Sequence, residues 1–578
     1  MAELRFLPSG HRSWSAYREG ERTVHVTGWA DSGSAIVKAE ALAQRIGEQL
    51  ETAMPFADVL NDLNGHFAVA VDAPGTLHLG VDAVRSIPLF YRQDGDLFTA
   101  SDEIELLLGR DDPMDERSAV EYATAGYVTG PHTLFNGVSG LQSGEYLSQL
   151  PGEVAPAARR YYSYLCSYDA EGNVEALCDL FDSALLAAFS RAVESLDGRQ
   201  VLVPLSGGLD SRLVAWMFKR CGYDNLVCFS YGLPDNRQSM RGRMVANALG
   251  YPWMDVPYSA ALWRKALASA EMRSYWSFSA NGVSVPHCDD WPAVRILSEH
   301  PDVRPDAVFV PGHTGDFISG GHLKYLFDPI WQDDPYAFEE AMIDKHYSLW
   351  GNLIGIPGVR EVVGSRLQEV LGQFSRETDE DLAGGYEYWE WQERQAKLVI
   401  NSVRAYEFFG FSWRLPLWDR EVMEFWRGVP IALKMDEYLY RAYLASHGPA
   451  ELFAGDAPNG LWSRNQALRS QRRGLKLRSR ALLRRLRPAA AALARYDKYR
   501  RHLREYRRHP LGLARAYGVA RYLLREPSKR HALSLLLQDF LREEYGIELS
   551  ELKSRYAGGG SASTEVEAIR TKEVPLSE

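Results

Sequence analysis

Six residues, Ser206-Gly-Gly-Leu-Asp-Ser211, bring together two hydroxyls, two glycines and one carboxylate. Those residue types suit a phosphate chain. Glycine lets the backbone approach a ligand closely, hydroxyls donate hydrogen bonds, and the Asp210 carboxylate is an oxygen ligand that a hard cation such as Mg²⁺ prefers. The flanking sequence supplies the rest. Val201 to Leu205 is apolar and predicts a short buried strand after the polar Asp197-Gly-Arg-Gln200, while Leu213, Val214, Trp216 and Met217 have helical spacing from Asp210 onward. A strand, a glycine turn and a helix N-terminus place free N–H groups and a positive dipole end at one spot. Residues 205 to 211 (Leu205, Ser206, Gly207, Gly208, Leu209, Asp210 and Ser211) are therefore the predicted ATP-phosphate contacts, although no Walker-type Gly-Lys-Ser/Thr occurs in the chain.

A second stretch, Ala307-Val-Phe-Val-Pro-Gly-His-Thr-Gly-Asp-Phe-Ile-Ser-Gly-Gly321, reads as a strand running into a glycine-rich loop with one acid, Asp316. A lone acid in such a loop ordinarily caps a turn or a helix start. His313, in the same loop, carries a side chain that ordinarily titrates near working pH, and a structural role for it stays open.

Ser206 to Ser211 resembles the pyrophosphate loop of the asparagine synthetase family, whose relatives include β-lactam synthetases and lasso-peptide cyclases. Gly312, Asp316, Gly320 and Gly321 match that family's Ser-Gly-Glu-Gly-Ala-Asp-Glu-Leu-Phe-Gly-Gly motif position for position, with His313 and Phe317 standing where it has glutamates. Asn401 to Arg420 resembles its Asp-Arg…Glu-x-Arg-x-Pro-Phe-Leu-Asp region through Arg404, Arg414, Pro416 and Asp419, with Ser412 in place of the glutamate. The resemblance implies that ATP is cleaved between its α- and β-phosphates, that a carboxylate becomes an acyl-adenylate, and that an amine then displaces AMP. By this resemblance Asp210, Asp316 and His313 are the catalytic candidates: Asp210 and Asp316 would hold Mg²⁺ and neutralise the departing pyrophosphate, and a neutral His313 could accept the proton of an attacking ammonium. Gly312, Phe229 and Ser230 join the nucleotide contacts, the last two against adenine through their main chain. Lys434, Arg441 and Arg464 are the candidates for the pyrophosphate-binding cation. Arg414 is expected to pair with Asp419, or else to face a carboxylate substrate.

The elements that must position these residues follow. Leu226–Gly232 predicts a second strand, Ser239–Leu249 a helix, Val174–Leu196 a long amphipathic helix, and Arg420–Arg427 another helix. Alternating strands and helices imply a parallel sheet with its ligand at the carboxyl ends of the strands. Upstream, Asn64–Asp72 and Thr76–Asp82 form a hairpin about Ala73-Pro-Gly75, followed by strands at Ser86–Tyr91 and Leu97–Ser101. This resembles a class II glutaminase domain. The implied fold is an α+β, Ntn-hydrolase-like sandwich over 1–160, then an α/β parallel-sheet synthetase domain (adenine nucleotide α-hydrolase-like) over 170–460, a basic helical extension over 461–556 and a tail from 557. The family's glutaminase nucleophile is a cysteine directly after the initiator methionine. This chain has Ala2 there and its first cysteine at 166, so a glutaminase-silent domain is expected.

Length and composition bound the rest. At 578 residues, with 46% hydrophobic and 24% charged residues, the chain has the make-up of a multidomain globular protein. Its five cysteines form no Cys-x-x-Cys pair, which disfavours zinc or a disulfide frame and points to a reducing cytoplasm. Within a net charge of -11, residues 464–508 carry 17 Lys/Arg against Asp497 and Glu505. This segment is expected to dock its apolar stripe on the synthetase domain; nucleic acid or an anionic membrane surface is the lesser reading. The expected partners are a small-molecule, sugar-acid or peptide carboxylate and ammonia or an amine, with a homodimer open. A cyclase, whose amine belongs to the same substrate, is the nearest alternative; a non-catalytic binding protein on a dead synthetase fold is the second.

Overall fold

The protein is described here by a computed structural model covering residues 3–95, 97–109, 112–149, 157–327, 337–458 and 533–557. The basic stretch 464–508, Arg464 with it, and the tail from 558 lie outside the described residues.

The N-terminal half is built from two sheets. The first runs β1 (Glu3–Leu7), β8 (Leu97–Ser101), β7 (Phe90–Asp94) and β9 (Val138–Gly140), with β1 parallel to β8 and the other pairs antiparallel. The second is antiparallel, in the order β11 (Arg159–Arg160), β10 (Glu145–Gln149), β6 (Thr76–Val81), β5 (Asn64–Ala73), β3 (Arg22–Asp31) and β2 (Ser15–Glu19), and β4 (Ile36–Lys38) also pairs with β3. Period-two patterning decides the faces of β3. Val24 and Val26 turn to a core shared with helices α1 (Ala39–Glu51) and α2 (Phe56–Asn61), whereas His25 turns to the first sheet, 5.4 Å from the ring of Phe6.

The expected hairpin is present, with Ala73 paired to Thr76 and Gly75 at φ +74° in the two-residue turn. The strand expected at Ser86–Tyr91 is not: β7 begins only at Phe90. The cause is Asp82, whose buried carboxylate accepts the N–H groups of Val84 (2.9 Å) and Ser86 (3.2 Å) and folds this segment into a turn.

The C-terminal half carries a five-stranded, wholly parallel sheet, ordered β14 (Trp253–Pro257), β13 (Leu226–Gly232), β12 (Val201–Pro204), β15 (Val308–Phe309) and β16 (Ser412–Trp413). The expected helices form as α4 (Val174–Ser195), α6 (Arg237–Leu249) and Arg420–Gly428, capped by the side chains of Asn173, Asn236 and Asp419. Helices Leu533–Tyr545 and Leu549–Ala557 return to pack on the body of the molecule, Phe540 stacking at 6.2 Å on Tyr122 of α3 (Glu116–Ala125). Among the described residues no helix is long and apolar enough to cross a membrane.

The stretch Arg404 to Arg420 fastens the halves together. Asp419 accepts two hydrogen bonds from Arg191 on α4 (2.7 and 2.9 Å) and one from Asn64 at the start of β5 (3.2 Å). Arg404 donates to Glu407 at 2.5 Å and to the Ser86 carbonyl. The expected Arg414–Asp419 pair does not form. Arg414 instead donates to the hydroxyl (2.6 Å) and carbonyl (3.1 Å) of Ser195, because Asp419 caps the following helix and turns toward Arg191.

Candidate active site

The 206–211 loop, where phosphate contacts are expected, leaves β12 at Pro204 and enters α5 (Leu209–Arg220) with Gly208 at the N-cap. Gly207 lies at φ +73°, and a Cβ there would sit 2.9 Å from the side chain of Arg241. It turns the chain beneath Arg241, while its neighbours line the cleft. Arg212, buried, donates to the Gly208 carbonyl (3.1 Å) and to Asp456 (2.8 Å), tying the first turn of α5 to the end of the domain.

The second loop arrives from β15. Gly312 and Gly315 permit contact with the first: a Cβ on Gly312 would lie 2.8 Å from the Ser211 nitrogen, and one on Gly315 would lie 2.4 Å from Asp210 Oδ1. In consequence the Asp316 N–H donates to Asp210 Oδ2 at 3.1 Å. Tyr440, on the helix Tyr438–His447, donates its hydroxyl to Asp210 Oδ1 at 2.9 Å.

The cleft has two communicating lobes. One, of about 280 Å³, is lined by Leu205, Ser206 and Gly208 to Ser211, by Phe229 and Ser230, and by Gly312 and His313. Of the predicted nucleotide contacts only Gly207 is outside this wall. The Phe229 ring points into the core, 5.8 Å from Phe309, and the Ser230 hydroxyl donates to the Leu205 carbonyl at 2.7 Å, so both offer main chain to a ligand. The other lobe, of about 480 Å³, is lined by Asp210, Asp316, His313, Arg394, Glu437 and Arg441 among others.

Electrostatics separate the two carboxylates. Burial, then the charge of Asp316, raises Asp210 to about 8. Burial would raise Asp316 as well, but the hydrogen bond and charge of His322, followed by Arg394, outweigh it and hold Asp316 at about 2. His322 Nε2 lies 3.2 Å from Asp316, and its Nδ1 lies 2.5 Å from the buried Glu390. Two carboxylates on facing loops fit a cation that keeps its remaining coordination for phosphate oxygens and water, as Mg²⁺ does. No cluster of three or more His, Cys, Asp or Glu that could cage a metal occurs among the described residues.

His313 lies at the junction of the lobes, its ring nitrogens 3.4 Å from the Ser402 hydroxyl. The expectation of a near-neutral titration fails: burial, then the neighbouring charge of His287, lowers it to about 4. His287 shifts the other way. Burial would lower it, but its hydrogen bond to Asp290 (3.3 Å) and the charges of Asp290 and Asp289 raise it to about 9.

The pyrophosphate candidates also separate. Arg441 lines the second lobe, paired with Glu437 at 2.5 Å. Lys434 does not reach the cleft; it is buried 2.8 Å from Glu387. Sequence reasoning missed Arg394, Tyr440, His287 and Asp290. A usable signal existed for Arg394, which belongs to a run of charged residues, Glu390 to Lys397, placed among tryptophans where a helix would be buried.

A strand–glycine–helix loop on a parallel sheet, facing a second acidic loop and joined to a β-rich domain, gives the chain a two-domain build. The asparagine synthase family profile matches residues 182–521, more than half of the chain, and a glutamine amidotransferase domain profile matches 52–162. The chain belongs to the asparagine synthase family. No curated protein matches it. Among solved structures it is similar to a glutamine phosphoribosylpyrophosphate amidotransferase from B. subtilis complexed with ADP and GMP (13% identity, TM-score 0.17), covering 51% of this chain and 63% of that one. A second, the allosteric regulatory enzyme of purine biosynthesis, is 14% identical with a TM-score of 0.17 over 41% of this chain and 46% of that one. The chain therefore spans less than two thirds of either structure.

Proposed function

We propose that the protein is an ATP-dependent C–N ligase that adenylates a carboxylate and transfers the acyl group to an amine or ammonia, releasing AMP and pyrophosphate. The observation that carries this reading is the meeting of the two loops, with Asp316 N–H on Asp210 Oδ2 at 3.1 Å beside the phosphate loop. Ser206, Ser211 and the first N–H groups of α5 bind the phosphate chain. Asp210 and Asp316 would hold Mg²⁺, which supplies charge neutralisation for the departing pyrophosphate. Arg394 and Arg441 add positive charge on the same side, and Tyr440 fixes the orientation of Asp210. His313, unprotonated at neutral pH, is placed to accept the proton of the incoming amine; the negative charge of a bound phosphate chain strengthens it as a base.

The amine is not drawn from glutamine in this reading. No cysteine precedes Cys166 in the sequence, and burial raises Cys166 to about 12 and Cys228 to about 12, leaving inert thiols. The test is ATP–pyrophosphate exchange across amino acids, sugar acids and peptides, with nucleotide products identified. AMP and pyrophosphate are expected, and ADP with phosphate would overturn the mechanism. Labelled glutamine should yield no glutamate, whereas ammonia or an added amine should yield amide. Product with neither added would assign the amine to the same substrate.

A further inference from the structure

A second cavity, of about 310 Å³, lies on the seam between the two halves, between β3 and β5 on one side and the segment 407–414 on the other. Three cations crowd one wall of it. Lys38 Nζ (3.5 Å), Arg199 Nη2 (3.5 Å) and Arg414 Nη2 (3.1 Å) all donate to one oxygen, the Ser195 carbonyl at the end of α4. A helix C-terminus attracts positive charge, but one carbonyl does not balance three cations. Asp197 pairs with Lys38; among the described residues neither Arg199 nor Arg414 has a carboxylate within 4.0 Å. Arg414 is nevertheless 5% exposed, and burial followed by the charge of Arg199 lowers it to about 9. A buried guanidinium without a counter-charge is costly unless something else supplies one.

The opposite wall repeats the pattern. Both ring nitrogens of His66, the indole N–H of Trp29 and Nη2 of Arg12 are buried without a hydrogen-bond partner, at residue exposures of 3%, 6% and 8%. Glu407, the acid of this cavity, is already taken by Arg12 (3.2 Å), Arg404 (2.5 Å) and the Trp413 indole (2.9 Å). Between them runs an aromatic wall, with the His66 ring 5.9 Å from Trp29 and 5.5 Å from Trp413, and the Arg414 guanidinium lies 4.9 Å over the Trp29 ring. Unsatisfied donors, excess positive charge and aromatic walls in one cavity describe a receptor for an anion with a planar body.

We propose that this interdomain cavity binds a small organic carboxylate, its carboxylate facing Lys38, Arg199 and Arg414 and its flat body lying along the aromatic wall of Trp29, His66 and Trp413. The site is separate from the nucleotide cleft and stands whatever reaction that cleft performs. Calorimetric titration of the full chain with benzoate as probe, and with neutral benzamide of the same shape, tests it. Benzoate is expected to bind at one site and benzamide at least about tenfold more weakly, because the charge decides. Arg199→Met and Lys38→Met should each weaken benzoate by about tenfold, and Asp316→Asn should leave it unchanged. Arg199→Met should also raise the Tm of the ligand-free protein, since it thins a self-repelling cluster. Equal affinity for benzoate and benzamide, no saturable binding, or loss of binding in Asp316→Asn but not in Arg199→Met would overturn the proposal. So would a lower Tm in Arg199→Met, the mark of a cluster that only braces the end of α4.

Discussion

Replacing Lys434 with Met separates a structural cation from a phosphate-binding one. Lys434 Nζ sits 2.8 Å from Glu387 Oε1, with side-chain exposures of 0% and 1%, and the rings of Tyr164 and Tyr168 lie 5.9 and 5.4 Å away. Methionine keeps most of the apolar stem, so the loss is chiefly electrostatic. Removing one partner of a buried pair costs about 3–5 kcal/mol, because the other charge stays buried and unanswered. Tyr168 still donates to Glu387 at 2.6 Å, which places the cost near 3 kcal/mol. At roughly 2 °C per kcal/mol for a domain of this size, the apparent Tm should fall by about 6 °C. Calorimetric titration with Mg²⁺-pyrophosphate, below that temperature, should show affinity within about twofold of wild type. Arg441→Met should do the reverse. Its pair with Glu437 is partly exposed, at 29% and 15%, so the change should cost at most about 1 kcal/mol of stability yet weaken pyrophosphate by about tenfold. The double variant Lys434→Met, Glu387→Leu should recover most of the lost Tm. An unchanged Tm in Lys434→Met together with lost pyrophosphate binding would refute the assignment and return Lys434 to the cleft.

Asp210→Asn should stabilise the metal-free protein while abolishing AMP formation. Asp210 is raised above its unfolded value to about 8, so the native state holds a proton that the unfolded chain releases, and wild-type stability falls as pH climbs from about 4 to 8; the Tm advantage of the variant should grow over that window, and a constant advantage would sink the argument. At the domain seam, a double-mutant cycle for Arg191 and Asp419, which meet at 2.7 Å with side-chain exposures of 14% and 5%, should give a coupling of about 1–3 kcal/mol, whereas the Arg414–Asp419 cycle should give none; coupling in the second cycle alone would contradict the observed partners.

What could be read from the sequence was local. The phosphate loop is legible because strand, turn and helix start lie within a dozen consecutive residues, and because Ser, Gly and Asp there have few other joint uses. Leu226–Gly232 was legible for the same reason: a mostly apolar run bounded by turn residues forms a largely buried parallel strand over that very range. Asp316 was legible from the family motif that its glycine-rich loop matches, not from the loop alone. Residues that reach the cleft from elsewhere left no such mark. Tyr440 reads as one more apolar position on a helix, and its hydroxyl finds Asp210 from 230 residues away. Lys434 looks like a free cation beside a known motif until Glu387, 47 residues upstream, takes it into the core. Arg414 lies five residues from Asp419, and proximity in sequence suggested a pair; its actual partner, Ser195, is 219 residues distant. His313 was placed correctly in the loop, but its titration depends on burial and on His287, neither of which a single sequence displays.

The register of the sheet explains how the N-terminal half and the nucleotide cleft come to share a framework. β15 pairs with β12 on one side and β16 on the other, Val308 facing both Val201 and Ser412. The Arg414 N–H extends the ladder to the Phe309 carbonyl at 2.9 Å. Leaving that ladder, β15 runs within three residues into Gly312, whose lack of a side chain lets the acidic loop rest on the phosphate loop. Leaving β16, the chain runs into Asp419 and the contacts with Arg191 and Asn64. The strand that sets Asp316 against Asp210 is thus held by the strand that docks the N-terminal sheets. A displacement of Trp413 or Arg414 would have to be absorbed by the backbone bonds of β15, because a packed parallel sheet passes on strain more readily than it absorbs it. Among the described residues the N-terminal domain thus meets this framework through Asn64, Ser86 and Arg12, at Asp419, Arg404 and Glu407, and lines neither lobe of the cleft.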